Sequence, residues 1–391
     1  MKILHTSDWH IGKRLGRHDR SEEIRGVLDE VCGIADERDV DLVLVSGDVF
    51  DRPIPPVEAL AVGIETLVRL AERRPVVAVA GNHDSPGLFE ALAPLLRDQG
   101  KGVHLVGRVK RPREGGLLGP EVLGVGAVVA CFPFLREGTV VDFMRDAGEW
   151  YGAYSTRVAG ITAAFNEELV ARAGGDLVPL LMGHFLVGGV KVDRAAPRGE
   201  REIHMGEAYT ATAQAIPAGP QYVAMGHIHA PQPVPGAPVP AQYAGSLVSL
   251  DFGEAGEAKR VVVVDVEPGR LAAVESVPLE RGRPLVRVTG TWNEIEGRAD
   301  ELAERFVDLT VQVGGADPDL ARRAADAFPY LVNVRVQRPA GSRTERLEGA
   351  ERPSDEELYA EFVMRTTGEE PPPELLTLFR RVLEDAADAP A

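Results

Sequence analysis

Short apolar runs alternate with helix-like patterns along roughly the first 275 residues of the chain. The runs are rich in Val, Ile and Leu, and they lie at 2–8, 41–48, 75–82, 128–134, 177–184 and 222–229. Runs of this length and composition are typical of strands that are covered on both faces. Helical patterns at 21–38 and 55–74 lie between them, and this alternation predicts an α/β domain.

The pattern changes after the last of these runs. The segment 242–266 is hairpin-like, because two apolar stretches flank a turn that contains Gly and Glu, and we expect it to complete the sheets. A break at 277–285 follows. The next stretch contains strand-like patterns at 285–290 and 330–337 and helix-like patterns at 299–309 and 316–328. We therefore predict one large domain over 1–276 and a smaller one over 284–338.

The C-terminal region, residues 354–391, follows a polar linker at 339–353. Ser354 and Glu357 form a capping box, which predicts the start of a helix. The apolar positions are Leu358 and Phe362 in this first helix, and Leu375, Leu376, Phe379, Val382 and Leu383 in a second one. In the second helix they fall on one face, so we expect it to be amphipathic.

Composition places the chain among ordinary globular proteins. It has 391 residues, of which 44% are hydrophobic and 26% are charged, so it can bury a sizeable core. Its net charge of −17 argues against a general polyanion binder, although a local basic patch remains compatible with it. The two cysteines, Cys32 and Cys131, are too few for a thiolate zinc site, and we expect both to be reduced.

Neither a secretion signal nor a membrane span is visible. The start, MKILHTSDWH, lacks the apolar stretch of a signal peptide. Apolar runs stay well below the ~18–20 residues that cross a bilayer. We expect a cytoplasmic protein without a membrane partner.

Polar side chains with metal-binding chemistry follow five of the apolar runs. They are Asp8 and His10, then Asp48 and Asp51, then Asn82, His83 and Asp84, then His184, and finally His227 and His229. Functional groups in open α/β sheets gather at the carboxyl ends of strands, and the glycines beside these residues permit tight turns. One such pair would be uninformative, but five in succession indicate a shared site.

The chemistry of the set favours two metal ions. Three carboxylate or amide oxygens and four imidazoles, without a thiolate, suit manganese, iron or zinc. Seven ligands exceed one tetrahedral site, yet they suffice for two ions if one carboxylate bridges. Two ions ~3.5–4 Å apart can stabilise the attacking and leaving oxygens of a phosphoryl transfer.

The order D-x-H, G-D-x-x-D, G-N-H-D, G-H and G-H-x-H resembles the calcineurin-like metallophosphoesterase superfamily. Longer strings such as HTSDWHIGKRL, SGDVFDRPIPP and YVAMGHIHAPQ are similar to the nuclease subunits of bacterial ATP-driven end-processing complexes. The resemblance is strong over about residues 1–275. Beyond them, the order of the segments is similar more than the residues themselves. It implies an α/β fold, a metallophosphoesterase-type β-sandwich flanked by helices, with a small α+β capping domain and C-terminal helices.

The resemblance also implies roles for the matching residues. One manganese ion would be held by Asp8, His10, Asp48 and His229, and the other by Asp48, Asn82, His184 and His227, with Asp48 bridging. His83 would be no ligand but would face the scissile phosphate and either stabilise charge or protonate the leaving oxygen. Asp51 would hydrogen-bond to His83 and fix its tautomer. Asp84 receives no chemical role, and we expect it to cap the following turn.

The family's activity sets the functional expectation. It implies a manganese-dependent 3′–5′ double-strand exonuclease and hairpin-opening endonuclease, with DNA as substrate. An SMC-like ATPase would bind the C-terminal helices, and a homodimer within a heterotetramer is implied. Basic side chains in two clusters could contact DNA or be solubilising surface: Lys13, Arg14, Arg17 and Arg20, and Arg108, Lys110, Arg111 and Arg113.

Two other functions remain open at this point. The same fold and metals serve phosphatases and cyclic-nucleotide phosphodiesterases, and the metal motifs alone do not separate these from a nuclease. A binding scaffold with a decayed site is a third possibility, against which the complete ligand set argues. The extra domain and the C-terminal helices favour the nuclease.

Overall fold

The computed structural model describes residues 1–98, 102–136, 154–190, 210–315, 317–337, 354–367 and 370–387. Met1–Gln337 form one compact unit and Arg338–Ala391 form another. The predicted linker at 339–353 lies outside the described residues.

The strands, in chain order, are β1 (Lys2–Thr6), β2 (Arg14–Leu15), β3 (His18–Asp19), β4 (Leu42–Val45), β5 (Val76–Val79), β6 (Val103–Val106), β7 (Leu117–Leu118), β8 (Ala127–Phe132), β9 (Val178–His184), β10 (Leu186–Val187), β11 (Thr210–Ala211), β12 (Tyr222–Gly226), β13 (Gln232–Pro233), β14 (Ala241–Tyr243), β15 (Arg260–Asp265), β16 (Ala273–Pro278), β17 (Leu285–Thr291), β18 (Phe306–Gln312) and β19 (Leu331–Gln337). All six predicted apolar runs therefore contain a strand.

The helices are α1 (Ser21–Glu37), α2 (Val57–Leu70), α3 (Pro86–Asp98), α4 (Pro120–Leu123), α5 (Tyr154–Ala173), α6 (Trp292–Glu296), α7 (Ala299–Leu302), α8 (Leu320–Ala327), α9 (Asp355–Thr367) and α10 (Pro373–Ala387). Short 3₁₀ turns occur at Pro112–Glu114, Ala213–Ala215 and Phe252–Glu254. The helical patterns at 21–38 and 55–74 correspond to α1 and α2.

Two six-stranded sheets form the centre of the first unit. The first has the order β16-β15-β1-β4-β5-β6, and the second has the order β13-β14-β12-β9-β8-β7. Strands β1, β4, β5 and β6 are parallel, as are β8, β9, β12 and β14, whereas the remaining strands run antiparallel to their neighbours. The parallel strands are buried on both faces, which explains their continuous apolar composition.

The two sheets stack with helices on their outer faces. The core between the sheets includes Ile3, Leu44 and Val77 of the first sheet and Val129, Leu180 and Ala224 of the second. Leu4, Val43 and Ala78 turn outward and pack with residues of α1, α2 and α3. The outer face of the second sheet packs on α5 through Phe132, Phe165 and Leu181. The predicted β-sandwich flanked by helices is confirmed.

The expected hairpin at 242–266 is wrong. Strand β14 pairs with β12 and β13 in the second sheet, whereas β15 pairs with β1 and β16 in the first. The chain therefore crosses from one sheet to the other between these strands. The apolar pattern predicts that residues 260–265 form a strand, but it does not say which strand they pair with. Strand β1 pairs with β4 on one side only, and β15 pairs with its other side.

Residues 285–337 form a smaller sheet with the order β17-β18-β19. All three strands are parallel, so strands and helices alternate rather than segregate as the α+β label implies. The helix expected over 299–309 is wrong in its second half, because α7 ends at Leu302 and Phe306 begins the central strand β18. That strand is covered on both faces, so its apolar residues do not alternate strictly.

The second unit contains the two expected C-terminal helices. In the capping box, the Ser354 backbone N–H donates to the Glu357 carboxylate at 2.6 Å and the Glu357 N–H donates to the Ser354 hydroxyl at 3.2 Å. The helices α9 and α10 contact each other through stacked Tyr359 and Phe379 rings, whose centroids are 4.0 Å apart. Phe362 and Leu378 remain 63% and 57% exposed.

Candidate metal centre

Five strand ends bring the predicted ligands to one edge of the sandwich. Asp8 and His10 follow β1, Asp48 follows β4, Asn82 follows β5, His184 ends β9, and His227 and His229 follow β12. Strands β1, β4 and β5 are parallel neighbours, as are β9 and β12, so their carboxyl ends meet. The two sheets are joined there, because the His227 backbone N–H donates to the Asp8 carboxylate at 3.1 Å.

The backbone is strained at four of these positions. Asp8, His10, Asp48 and His227 have positive φ angles of 52°, 46°, 52° and 91°. Such conformations cost about 1–3 kcal/mol each for residues other than glycine, and they cluster at functional sites. Hydrogen bonds from the Asp8 N–H to the Gly47 carbonyl at 2.9 Å and from the His10 N–H to the Asp48 carbonyl at 3.0 Å hold the turns.

Two glycines beside the ligands have no room for a side chain. A Cβ on Gly81 would lie 2.1 Å from Oδ1 of Asp48, and one on Gly47 would lie 2.2 Å from Nδ1 of His184. Gly47 also has a φ of 93°, which only glycine adopts without strain. These glycines let two ligand-bearing loops approach within contact distance.

Asp8, His10 and His229 form one group of potential ligands. Each offers one ligand atom, and these atoms lie within 4.8 Å of one another. The Nε2 atoms of His10 and His229 are 3.3 Å apart. Asp8 and His10 are fully or almost fully buried, so this group has the sequestered geometry of a metal site.

Asp48, Asn82, His184 and His227 form a second, adjoining group. Oδ1 of Asn82 lies 2.9 Å from Nε2 of His184 and 2.9 Å from Nδ1 of His227. Oδ2 of Asp48 lies 3.4 Å from Nε2 of His184 and 3.7 Å from Nε2 of His10. Asp48 therefore stands between the two groups, where a bridging ligand would be.

The hydrogen bonds of the imidazoles fit a metal centre. His184 donates Nδ1–H to the Ser46 carbonyl at 2.7 Å, and Nδ1 of His229 lies 3.0 Å from the Glu254 carboxylate. In its neutral form with the proton on Nδ1, each ring directs the lone pair of Nε2 inward. Nδ1 of His10 likewise faces the Asp51 carboxylate, at 3.4 Å. The Nε2 lone pairs of His10 and His229 therefore face each other, an arrangement that a cation stabilises.

Charge and burial set the protonation of these rings. Burial lowers the pKa of His10. Burial also disfavours the charged form of His184, but the Asp48 carboxylate outweighs it and raises the pKa of His184 to about 9. The pKa of His229 is raised, because its hydrogen bond to Glu254 outweighs burial. The buried negative charge that raises the pKa of His184 and His229 is the charge that a divalent ion would neutralise.

Glu254 is a functional residue that the sequence analysis missed. Its carboxylate is buried, and besides His229 it accepts hydrogen bonds from Nζ of Lys259 and the Leu250 N–H, both at 2.9 Å. Burial opposes its ionisation, but His229 and Lys259 outweigh burial and lower the pKa of Glu254. Carboxylates that orient metal-binding imidazoles in this way raise their basicity. Glu254 lies in an isolated 3₁₀ turn, so no motif marks it.

His83 reaches the centre, but its partner differs from the expectation. His83 donates Nδ1–H to the backbone carbonyl of Asp51 at 2.9 Å. The Asp51 carboxylate turns instead toward His10 and toward Nζ of Lys13, at 3.2 Å from the latter. The expected side-chain bond between Asp51 and His83 is therefore wrong, because the loop presents its carbonyl to that ring. His83 also lies within ligand distance of His10 and Asp48.

Asp84 does not cap the following turn. Its carboxylate is fully buried and accepts hydrogen bonds from the backbone N–H groups of Phe50 and Gly81, both at 2.9 Å, and of Val49 at 3.2 Å. Burial and the neighbouring Asp48 raise the pKa of Asp84. Asp84 thus joins the loop after β4 to the loop after β5 and fixes the spacing of Asp48 and Asn82.

The basic clusters are largely paired with acids. Arg20 has no exposed side-chain surface and pairs with Glu23 at 2.8 Å, so it is neither a DNA contact nor solubilising surface, the two alternatives considered for its cluster. Other pairs are Lys13–Asp51, Arg14–Asp19, Arg108–Glu90, Arg111–Glu114 and Arg113–Glu168. Exposed pairs of this kind are weak, so an approaching phosphate can compete for the cations. Lys13 lies closest to the metal centre.

The fold and the cluster of potential metal ligands are those of a metallophosphoesterase. The calcineurin-like phosphoesterase family matches residues 1–231, and the chain belongs to this family. Proteins named as SbcD, a component of the nuclease SbcCD, match nearly the whole chain. The relative from Bacillus subtilis (strain 168) is 33% identical over 97% of this chain and 97% of its own length.

Two further relatives with that name extend the comparison. The Rhodobacter capsulatus protein is 32% identical over 90% of this chain and 84% of its own length. The Escherichia coli K12 protein is 29% identical over 93% of this chain and 91% of its own length. The chain therefore belongs to the SbcD family within the calcineurin-like phosphoesterases. No helix among the described residues is long and apolar enough to cross a membrane.

Proposed function

We propose that the chain is a metal-dependent DNA nuclease that hydrolyses phosphodiester bonds at a two-metal centre. The observation that carries the proposal is the match of nearly the full chain, beyond the phosphoesterase region, to relatives named as nucleases. The activity inferred is a 3′–5′ double-strand exonuclease with an endonuclease activity that opens hairpins. The smaller sheet over 285–337 is assigned to capping the site and contacting DNA.

Seven side chains are assigned to the two ions. Asp8, His10, Asp48 and His229 would hold the first, and Asp48, Asn82, His184 and His227 would hold the second. The position of Asp48 between both groups supports its assignment as the bridge. When bound, the ions would activate a water for attack and stabilise the charge on the phosphoryl oxygens. Manganese is the assigned metal, because oxygen and imidazole ligands suit it.

His83 is assigned to the leaving group. Its Nδ1–H is committed to the Asp51 carbonyl, so only Nε2 is available to the substrate. A protonated His83 presents Nε2–H and can deliver that proton to the departing sugar oxygen, as a general acid. The bond to the Asp51 carbonyl also fixes the orientation of the ring. Asp51 is assigned a positioning role through its backbone, and its carboxylate orients His10.

The C-terminal helices are assigned to docking on SbcC, the other subunit in the name SbcCD of the relatives, which the family resemblance implies is an SMC-like ATPase. Helix α10 supports this assignment, because Leu378 and Val382 lie one turn apart and are 57% and 56% exposed. Apolar side chains with this spacing and exposure are typical of a helix that binds a partner. A homodimer of this chain within a heterotetramer with the ATPase is the proposed assembly.

A substrate comparison tests the proposal. The purified, manganese-loaded chain is incubated with linear duplex, hairpin and single-stranded DNA, and with p-nitrophenyl phosphate esters. A nuclease cleaves the duplex from its 3′ ends and opens the hairpin. Turnover restricted to the small esters would instead assign the chain to the phosphatase or cyclic-nucleotide phosphodiesterase class. Asp48→Asn is the matched control, since it removes the bridging carboxylate and should abolish every activity.

A further inference from the structure

An exposed apolar tip projects from the loop that carries Asp51. Ile54 is 88% exposed and Val57 is 77% exposed, although both are large aliphatic residues. The loop connects β4 to α2, and its sequence from Asp51 is DRPIPPV. Single exposed aliphatic residues are ordinary on protein surfaces. Ile54 differs from such residues in its position near the metal centre and in the stiffness of the loop that carries it.

The base of the loop is anchored at the metal centre. The Asp51 N–H donates to the Ile11 carbonyl at 3.1 Å, and the Asp51 carboxylate lies 3.4 Å from Nδ1 of His10. At the other end of the loop, Pro56 packs against Gly12, whose Cβ, if it had one, would lie 3.7 Å from the proline ring. Ile54 therefore lies three residues from Asp51, whose carboxylate faces His10 of the metal centre.

The chain around Ile54 is stiff. Pro53, Pro55 and Pro56 have φ angles restricted by their rings, and a residue that precedes proline is confined to extended conformations. Pro56 itself is extended, with φ −54° and ψ 152°, and passes directly into α2. A tip built in this way holds its apolar side chain outward without losing much further entropy on contact.

Positive charge flanks the tip. The Arg52 side chain is 66% exposed, and Lys13, which is 26% exposed, pairs with Asp51 at 3.2 Å. In a chain with a net charge of −17, cations beside a catalytic centre favour an anionic backbone at this place. Both cations lie beside the Asp51 carboxylate at the base of the loop, and an apolar tip with cations at its base matches a nucleic-acid duplex, in which phosphates flank stacked bases.

We propose that Ile54 is a wedge that unstacks the terminal base pair of duplex DNA, so that one strand can reach the metal centre. The inference rests on the proposed nuclease function and extends it to how an end is opened. Aliphatic side chains that insert between base steps unstack them in this way in other DNA-binding proteins. The substrate class that follows is the paired duplex end, whose terminal pair must separate before cleavage.

Binding without cleavage provides the first test. A duplex with 2-aminopurine in its terminal pair is titrated with the full chain in EDTA, and fluorescence reports unstacking. The unchanged chain and Leu271→Ser should raise the fluorescence, and Ile54→Ser should not. Leu271 is a matched control: it is 87% exposed and lies in the turn between β15 and β16, at the amino-terminal end of β1.

Cleavage provides the second test, with manganese present. Ile54→Ser should cleave a fully paired duplex end about tenfold more slowly, because the terminal base step must then unstack without an inserted side chain. The same variant should cleave an end with three terminal mismatches, and bis(p-nitrophenyl) phosphate, at the unchanged rate. Restoration by a pre-opened end distinguishes a wedge from a simple binding contact.

Several results would overturn the wedge. They are an unchanged fluorescence rise with Ile54→Ser, equal slowing on paired and mismatched ends, or equal effects of Ile54→Ser and Leu271→Ser. The last result, with a change in oligomeric state, would assign Ile54 to a contact between protein chains. If the unchanged chain cleaves only the small ester, both the proposed nuclease function and the proposed wedge are refuted. If the unchanged chain cleaves DNA and any of these three results is found, only the wedge is refuted and the nuclease function stands.

Discussion

At the scale of single residues, chemically equal side chains have different tasks because their atoms face different partners. Asp48 presents its carboxylate to imidazoles of both ligand groups, and Asp51 presents its own to His10 and Lys13. Asp84 is fully buried, and its carboxylate oxygens accept hydrogen bonds from three backbone N–H groups. Neighbouring Asn82 and His83 likewise differ: the Asn82 amide oxygen lies 2.9 Å from ring nitrogens of His184 and His227, whereas His83 donates Nδ1–H to the Asp51 carbonyl.

His83→Ala is the first prediction at this scale. The variant should bind two manganese ions with unchanged affinity and cleave DNA about 10²–10⁴-fold more slowly, as expected when a general acid is lost. Metal content after dialysis, measured beside single-turnover cleavage, checks this. A loss of one ion from the variant would make His83 a ligand, which its distance to His10 and Asp48 permits.

Glu254→Gln is the second prediction. The substitution keeps the shape of the side chain but weakens the acceptor for the His229 Nδ1–H, so manganese affinity should fall about 10–100-fold. Isothermal titration with manganese measures the loss. Glu257→Gln is the matched control, since Glu257 also contacts Lys259 at 2.9 Å but has no contact with His229 among the described bonds. Equal losses in both variants would refute a specific role of Glu254.

At the scale of elements, the strand ends decide where the site is. Each predicted ligand follows a strand in which a continuous apolar run is covered on both faces, and such runs are visible in the sequence. The runs therefore located β1, β4, β5, β9 and β12 and the ligands that follow them. Pairing was not visible in the same way, since β14 has three residues and joins a different sheet from β15.

The residues that the sequence did not reveal have physical reasons in common. Glu254 lies in a 3₁₀ turn that has no periodic sequence pattern. Its position at the centre follows from burial and from its contacts with His229, Leu250 and Lys259. The role of the Asp51 carbonyl depends on the path of the loop, which residue types do not encode. Arg20 belongs to a basic cluster in sequence, yet its guanidinium is buried against Ser249 and Phe306. Tertiary packing decides all three.

His5 gives a prediction for strand β1. Burial, followed by the charge of Arg260, lowers the pKa of His5 to about 3, and its Nδ1 lies 2.9 Å from the Tyr222 hydroxyl. Above pH 6.5 the ring is neutral in both folded and unfolded chains, so it adds no pH dependence. Below pH 6.5 only the unfolded chain binds the proton, so stability falls as the pH decreases toward 3.

The expected slope from this residue is at most about 1.4 kcal/mol per pH unit. Urea unfolding at pH 6.5, 5.5 and 4.5 measures it by difference, with His5→Asn as the comparison. The variant should start less stable but lose less stability on acidification. Parallel pH profiles of the two proteins would show that His5 is not held neutral in the fold.

At the scale of the whole molecule, charge and exposed apolar surface suggest that this chain supplies the metal centre and a partner supplies much of the DNA affinity. The net charge of −17 disfavours strong binding of DNA by this chain alone, while cations such as Arg52 and Lys13 are local to the site. The C-terminal helices expose Phe362, Leu378 and Val382. An ATPase partner that binds these helices would add DNA affinity that this chain lacks.

Leu378→Ser combined with Val382→Ser tests that division. The double variant should lose binding to the ATPase partner, measured by co-purification and titration, because two exposed apolar contacts of one helix face are removed. Its manganese content and its turnover of small phosphate esters should stay unchanged. Undiminished binding would place the docking surface elsewhere on the chain.

Electron paramagnetic resonance of the manganese-loaded chain shows whether Asp48 bridges a pair of ions. Two Mn²⁺ ions ~3.5–4 Å apart share a bridging ligand and give an exchange-coupled spectrum, at a content of two ions per chain. Asp48→Asn should lose the coupling. A simple six-line spectrum from one isolated ion per chain, unchanged by saturating manganese, would contradict the account.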